Sequence, residues 1–334
     1  MDLPTASDAP DERMTQTNVG QCDIEGTPDN VIEVWIMPCL SYLQIARMRP
    51  TSSTLRRWCD HEFASIRTLD ARYSNNCSRY IKPNPSRAPM FPSFDDGRRF
   101  PTLYSSATDA ALQFYSTKCG RLDTVNLTFS STRVTGAGLH ALLDEPECSV
   151  DQLDVSCCPS VCDDAILQLS TAYNWTFISN LELEGCDVSD RALRIISETM
   201  PYLSGLNVRG ATGIISDAGV RLIASGCEDL RVLCIPGCPG VSMESLDLII
   251  QHTDIVNLSI EGCGIDGTDL IRCLSLHRAD EMICLSVDEL DADDVDRLIE
   301  TQGSLQHLCT CDQISSSAVQ SLESKGIDYM CFKY

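Results

Sequence analysis

The sequence predicts an α/β solenoid, a stack of strand–turn–helix units, preceded by a small α-helical module. Two observations carry this. A short apolar motif recurs nine times at a nearly constant interval, and a second motif with helical character keeps phase with it. A unit made of one short strand and one helix cannot bury its apolar side alone, so such units must stack on their neighbours.

The strand motif is apolar-x-x-apolar-x-apolar. It runs from Leu122/Val125/Leu127 and Val150/Leu153/Val155 through Ile178/Leu181/Leu183, Leu203/Leu206/Val208 and Leu230/Leu233/Ile235. It continues as Ile255/Leu258/Ile260, Met282/Leu285/Val287 and Leu305/Leu308/Thr310, and ends at Ile327/Met330/Phe332. With the middle residue as anchor, successive spacings are 28, 28, 25, 27, 25, 27, 23 and 22. Such a period signals a repeat architecture.

The helix motif begins about nine residues after each anchor, as in VTGAGL (134–139), VSDRAL (188–193), ISDAGV (215–220) and VSMESL (241–246). Its second position is mostly Ser, Thr or Asp, the residues that accept a hydrogen bond from the free amides of a helix start. The apolar residues that follow fall at helical spacing.

These units resemble the cysteine-containing class of leucine-rich repeats. Cys158, Cys186, Cys238 and Cys263 stand five residues after their anchors, and Cys119, Cys148 and Cys227 occupy the later cysteine slot. The fourth unit has Ala211 in the first slot, and the last two full units lose it. The resemblance covers roughly residues 102–334 and implies a horseshoe of about nine repeats, with the strands lining its concave face.

Residues 27–66 do not follow the repeat. Pro28 opens the stretch; Val31, Ile36, Leu40 and Leu43 form an apolar ladder interrupted by Pro38 and Pro50; and Leu55 and Trp58 close it. Several short helices satisfy those prolines better than one long helix. The string is similar to a degenerate F-box, although the Leu before the Pro is replaced by Thr27. An F-box followed by cysteine-containing leucine-rich repeats is common among substrate receptors of cullin-based ubiquitin ligases. The resemblance implies that Pro28, Val31, Ile36, Leu40, Leu43, Leu55 and Trp58 bind the ligase adaptor while the repeats choose a protein cargo. The alternative is a ligase-independent interaction scaffold whose N-terminal helices only cap the solenoid. Residues 1–26 are acidic and are expected to be disordered. Residues 67–101 form a Pro- and Arg-rich linker or loop, with 64–71 as a partial repeat strand.

Charge narrows the partners. The formal net charge is −23, from 25 basic and 48 acidic side chains. Residues 47–99 carry eleven basic and five acidic groups, residues 100–334 thirteen and thirty-five. The acidic solenoid would repel a nucleic-acid backbone, so no nucleic acid is expected as partner. No apolar run approaches the length that spans a membrane, and no secretory signal is readable. The nineteen cysteines then read as reduced, buried thiols of a cytoplasmic or nuclear protein.

No phosphate loop, nucleophile elbow or paired Cys-x-x-Cys is readable in the chain. His307, Cys309 and Cys311 lie on one strand without a fourth ligand, and Asp291, Asp293, Asp294 and Asp296 suit a solvated helix start. No metal, cofactor or catalysis is expected. A cargo would sit on the strand positions that face away from the helices: Asp154, Asn180, Glu182, Glu184, Asn207, Arg209, Glu261, Asp288 and His307, with Gln152, Asn257, Ser259 and Ser286 beside them. Five acids against one Arg would favour a cargo with a basic segment; the alternative is that these acids only keep the solenoid soluble.

Overall fold

The computed structural model describes residues 68–70, 102–104, 108–119, 122–128, 134–276 and 281–331. The helical module and its adaptor-binding residues, Pro28 to Trp58, lie outside the described residues, as does the acidic N-terminal stretch.

Among the described residues, eleven short strands form one fully parallel sheet. They are β1 (Thr68–Asp70), β2 (Thr102–Tyr104), β3 (Thr124–Asn126), β4 (Gln152–Asp154), β5 (Asn180–Glu182), β6 (Gly205–Asn207), β7 (Val232–Cys234), β8 (Asn257–Ser259), β9 (Cys284–Val287), β10 (His307–Thr310) and β11 (Asp328–Cys331). From β3 to β11 the order in space follows the order in sequence, while β1 is inserted between β2 and β3. The described helices are α1 (Asp109–Lys118), α2 (Gly136–Leu143), α3 (Asp163–Leu169), α4 (Asp190–Thr199), α5 (Asp217–Gly226), α6 (Met243–His252), α7 (Gly267–Leu276), α8 (Ala292–Thr301) and α9 (Ser316–Ser324). Each packs on the next. Strand, helix and parallel neighbour, repeated from β3 onward, make this chain an α/β leucine-rich-repeat solenoid.

Register follows the anchors. Val125, Leu153, Leu181, Leu206, Leu233, Leu258, Leu285 and Leu308 pair successively across β3 to β10. These side chains, with the apolar residues three before and two after them, are almost wholly removed from solvent. Each such Leu or Ile contributes about 1.5–3 kcal/mol of burial, and the repeat makes the core one continuous ridge.

Two features depart from the nine-unit expectation. Strands β1 and β2 add to the sheet before the first regular unit, β1 falling at 68–70 within the 64–71 and 67–101 stretches. In the last strand the partner of Leu308 is Tyr329, not Met330, which pairs instead with Cys309. A one-residue slip exchanges the two faces of a strand. Here it comes with partial exposure of Tyr329, Met330 and Cys331 alike, so the terminal strand has no fully buried side to dictate its register.

Helix starts are well capped. Thr108, Thr135, Ser189, Ser216, Ser242, Asp291 and Ser315 each accept a backbone N–H from the first turn, whereas Cys162 before α3 makes no such bond. Between α3 and β5 a 3₁₀ turn, Trp175–Phe177, fills the extra space of a long unit. It buries Trp175 completely, with its indole N–H donating to Thr199 Oγ1 at 2.8 Å.

The cysteines of the first slot are buried free thiols. The Cys158 Sγ donates to the Leu127 carbonyl at 3.1 Å, Cys186 to Val155 at 3.2 Å and Cys263 to Ile235 at 3.2 Å. Each thiol thus satisfies a carbonyl of the preceding unit's strand. Burial pushes Cys186 and Cys263 up to about 12, keeping their donor protons in place, and raises Cys238 to about 11.

Candidate binding surface

Strand alternation sends the anchor inward and its two neighbours outward, onto the face away from the helices. Asn180 and His307 stand just before their anchors; Asp154, Glu182 and Asn207 just after; and Glu184, Arg209, Glu261 and Asp288 two residues further on. Alternation thus puts Asp154, Asn180, Glu182, Asn207 and His307 on one face, Arg209 and Glu261 join it through Ser259, and Glu184 and Asp288 stand in the turns just past β5 and β9. They are less exposed than an open face would suggest: Asp154, Glu182, Asn207 and Glu261 are buried, as are Ser259 and Ser286 beside them.

Cross-strand hydrogen bonds hold the row. Asn126 Nδ2 donates to Asp154 Oδ2 at 3.2 Å, and the Thr128 hydroxyl to the same oxygen at 2.7 Å. The Ser156 amide donates to Asp154 Oδ1 at 2.9 Å. On the next strands Asn207 Nδ2 donates to Glu182 Oε2 at 2.8 Å, while Asn207 Oδ1 accepts the Arg209 amide at 2.8 Å. Arg209 then reaches across β7, placing Nη2 3.3 Å from Ser259 Oγ and 3.7 Å from Glu261 Oε1. The Ser259 hydroxyl donates to Glu261 Oε2. Asp288 Oδ1 accepts the Gly262 amide at 2.7 Å, and His307 Nδ1 lies 3.5 Å from Asp328 Oδ2.

The face is electrostatically loaded. Burial, reinforced by the charge of Asp154, raises the Glu182 carboxyl to about 8; the bond from Asn207 opposes the shift without cancelling it. A positive group arriving beside Asp154 and Glu182 would relieve that repulsion.

Sequence reasoning places Cys309 on this open face but misses Cys234 and Cys284. All three are outward-facing yet buried. Cys284 is raised by its hydrogen bond with Cys309, and that same bond lowers Cys309. The alternation of Cys234 with Leu233 and of Cys284 with Leu285 is visible in the sequence, but a cysteine beside a leucine reads as core. Among the described residues no group of three His, Cys, Asp or Glu side chains could hold a metal ion, the His307–Cys309–Cys311 strand included. At the start of α8, Asp291 Oδ1 accepts the Asp294 amide at 2.7 Å and Asp294 Oδ2 accepts the Thr268 hydroxyl at 3.0 Å. These two carboxylates are engaged in capping and in the contact between units. Among the described residues no helix is long and apolar enough to cross a membrane.

No protein-family model matches the chain. Among solved structures it is similar to a chain from the crystal structure of the yeast Rad7 and Elc1 complex, with a TM-score of 0.50 at 16% identity. The match covers 68% of this chain and 66% of that one, so this chain spans just under two thirds of the solved chain's length. At that identity the likeness speaks to the repeat fold alone.

Proposed function

We propose that this chain is the substrate-recognition subunit of a cullin–F-box ubiquitin ligase, holding a protein cargo with a basic segment on the outward face of its sheet. The observation that carries the proposal is the row Asp154, Glu182, Glu184, Glu261 and Asp288. These five acids, set against Arg209, stand along a parallel sheet, where Asp154, Glu182, Glu261 and Asp288 are each held by hydrogen bonds from neighbouring residues. Asp154, Glu184 and Asp288 offer preorganised acidic groups to a cationic side chain, and an arriving cation would draw the proton from Glu182. The F-box-like sequence around Val31, Ile36, Leu40, Leu43, Leu55 and Trp58 supports the ligase half of the reading. The similar yeast chain, crystallised within a two-protein complex, agrees with a solenoid that works by binding. In this role the chain supplies no reacting group; it positions cargo for a conjugating enzyme.

The test is co-purification of the full chain with an F-box-binding adaptor, beside a Leu40→Asp/Leu43→Asp variant. A 1:1 complex that the folded variant loses supports the ligase receptor. A soluble wild-type chain that elutes without the adaptor sinks it and leaves a ligase-independent scaffold.

A further inference from the structure

A second surface lies along the edge where the strands begin. Four residues before each anchor the chain turns out to solvent, directly ahead of a buried apolar residue: Ile178, Leu203, Leu230, Ile255 and Met282. Because the anchors Leu181, Leu206, Leu233, Leu258 and Leu285 are in register, the preceding outward positions follow one another along this edge. Its occupants are Phe177, Tyr202, Asp229, Asp254 and Glu281, all exposed. Phe177 is 54% and Tyr202 63% exposed. Tyr173, 59% exposed, extends the aromatic end, its ring centroid 6.4 Å from that of Phe177.

Three of these five equivalent positions are carboxylates, so the repeat requires only a solvated side chain there. Two exposed aromatics in the same slot of successive units are not explained by packing; exposed apolar side chains grouped in this way mark contact sites. At the other end Glu281 pairs with Arg231 at 3.1 Å. Asp229 and Asp254 have no ion-pair partner among the described residues. Four strand spacings of about 4.8 Å give the row a length of about 20 Å, which an extended segment of about six residues would span.

We propose that this row docks an extended segment of another protein, one that carries aliphatic or aromatic side chains followed within about six residues by lysine or arginine. The apolar end packs on Phe177, Tyr202 and Tyr173. The cations meet Asp229 and Asp254. This surface is separate from the outward face of the sheet, so the segment could bind while cargo is held.

The test uses the full chain and two fluorescein-labelled ten-residue peptides. One has two phenylalanines followed by alternating lysine and arginine; in the other glutamate replaces every cation. The expected result is that the cationic peptide binds and the anionic one does not. Phe177→Ser/Tyr202→Ser and Asp229→Lys/Asp254→Lys should each weaken binding about tenfold or more, with thermal midpoints unchanged because none of the four side chains is buried. Glu300→Lys, the same charge change on the exposed side of α8, should bind as wild type. Failure of the cationic peptide to bind, equal affinity in the row variants, or loss confined to Glu184→Lys on the sheet face would each overturn the proposal. Self-association of the wild-type chain that vanishes in Phe177→Ser/Tyr202→Ser would also overturn it, assigning the row to a second copy.

Discussion

The carboxylate of Asp190, first residue of α4, accepts both the backbone N–H and the hydroxyl of Ser216, the cap of α5, at 2.8 and 2.5 Å. The same clamp joins Asp109 to Thr135, Asp163 to Ser189 and Asp217 to Ser242. Each aspartate sits in the first turn of its own helix, where the helix dipole favours it, while it fixes the start of the next. The clamp is missing where the first helical residue is not aspartate: Gly136 precedes the uncapped Cys162 unit. Beside a clamp, the fifth motif position must be small, because the preceding aspartate occupies its space. Gly138, Ala192, Gly219 and Ser245 fill it, and Ser245 adds a bond of its own to Asp217 at 2.6 Å.

Removing the clamp should therefore loosen one inter-unit joint. Asp190→Ala is expected to destabilise the chain by about 2 kcal/mol, for two lost bonds and an unpaired amide. A Cβ on Gly219 would come 2.3 Å from Asp190 Oδ1. Gly219→Ala should thus be destabilising in the wild type and clearly less so beside Asp190→Ala, where only the Leu193 Cδ1 contact at 2.8 Å remains. Denaturant unfolding of the four chains checks this, and strict additivity would show that the two positions do not share the space.

Cys157 carries a different strain. Four residues after the anchor the chain enters the left-handed region at Gly185, Gly210, Gly237 and Gly262, and in the equivalent position Cys157 does so with φ 54°. A side chain pays about 1–2 kcal/mol for that conformation, which glycine avoids. Cys157→Gly should raise stability by about 1 kcal/mol, seen as a higher denaturation midpoint; a lower one would mean that the thiol contributes more than its backbone costs.

Much of this architecture is legible in the amino-acid sequence. Leu153, Leu181 and Leu206 repeat at a period that only stacked units explain, and their strands lie where the motif places them. Three features are hidden from it. The clamp aspartates read as generic helix-start acids, because their partners lie 25 or 26 residues away and only the stacking of units brings them together. The slip at Tyr329 is invisible because the motif Ile327/Met330/Phe332 fits the pattern while burial at the terminal strand is too weak to enforce it. Alternation suggests an outward direction for Glu182 and Glu261 but says nothing of their burial, which depends on how side chains from successive strands close over one another.

Burial of Glu182 has a consequence for pH. Its folded carboxyl holds a proton up to about 8 against an ordinary 4.5, so proton binding favours the folded chain. That contribution is complete below about pH 4.5, declines as the unfolded chain ionises, and is lost once pH passes about 8. Glu182→Gln cannot ionise. The variant's thermal midpoint, relative to wild type, should climb from about pH 4.5 to about 8 and level off above it; a difference that stays flat over this range would remove Glu182 as the titrating group.

Arg209 and Glu261 offer the sharpest test of how the outward face is held together. Glu261 is 2% exposed and Arg209 20%, so the pair is shielded from the screening that makes surface ion pairs nearly worthless. Their 3.7 Å separation is long for a hydrogen bond, and the carboxylate takes its hydrogen bond from Ser259 instead. The pair's own strength should accordingly be modest, while the penalty for leaving Glu261 buried without a cation should be the larger part of any loss. Arg209→Met is then expected to cost about 2 kcal/mol alone and less than half of that in a Glu261→Gln background. Equal losses in both backgrounds would mean that Arg209 acts through its packing across β7 rather than through the charge of Glu261.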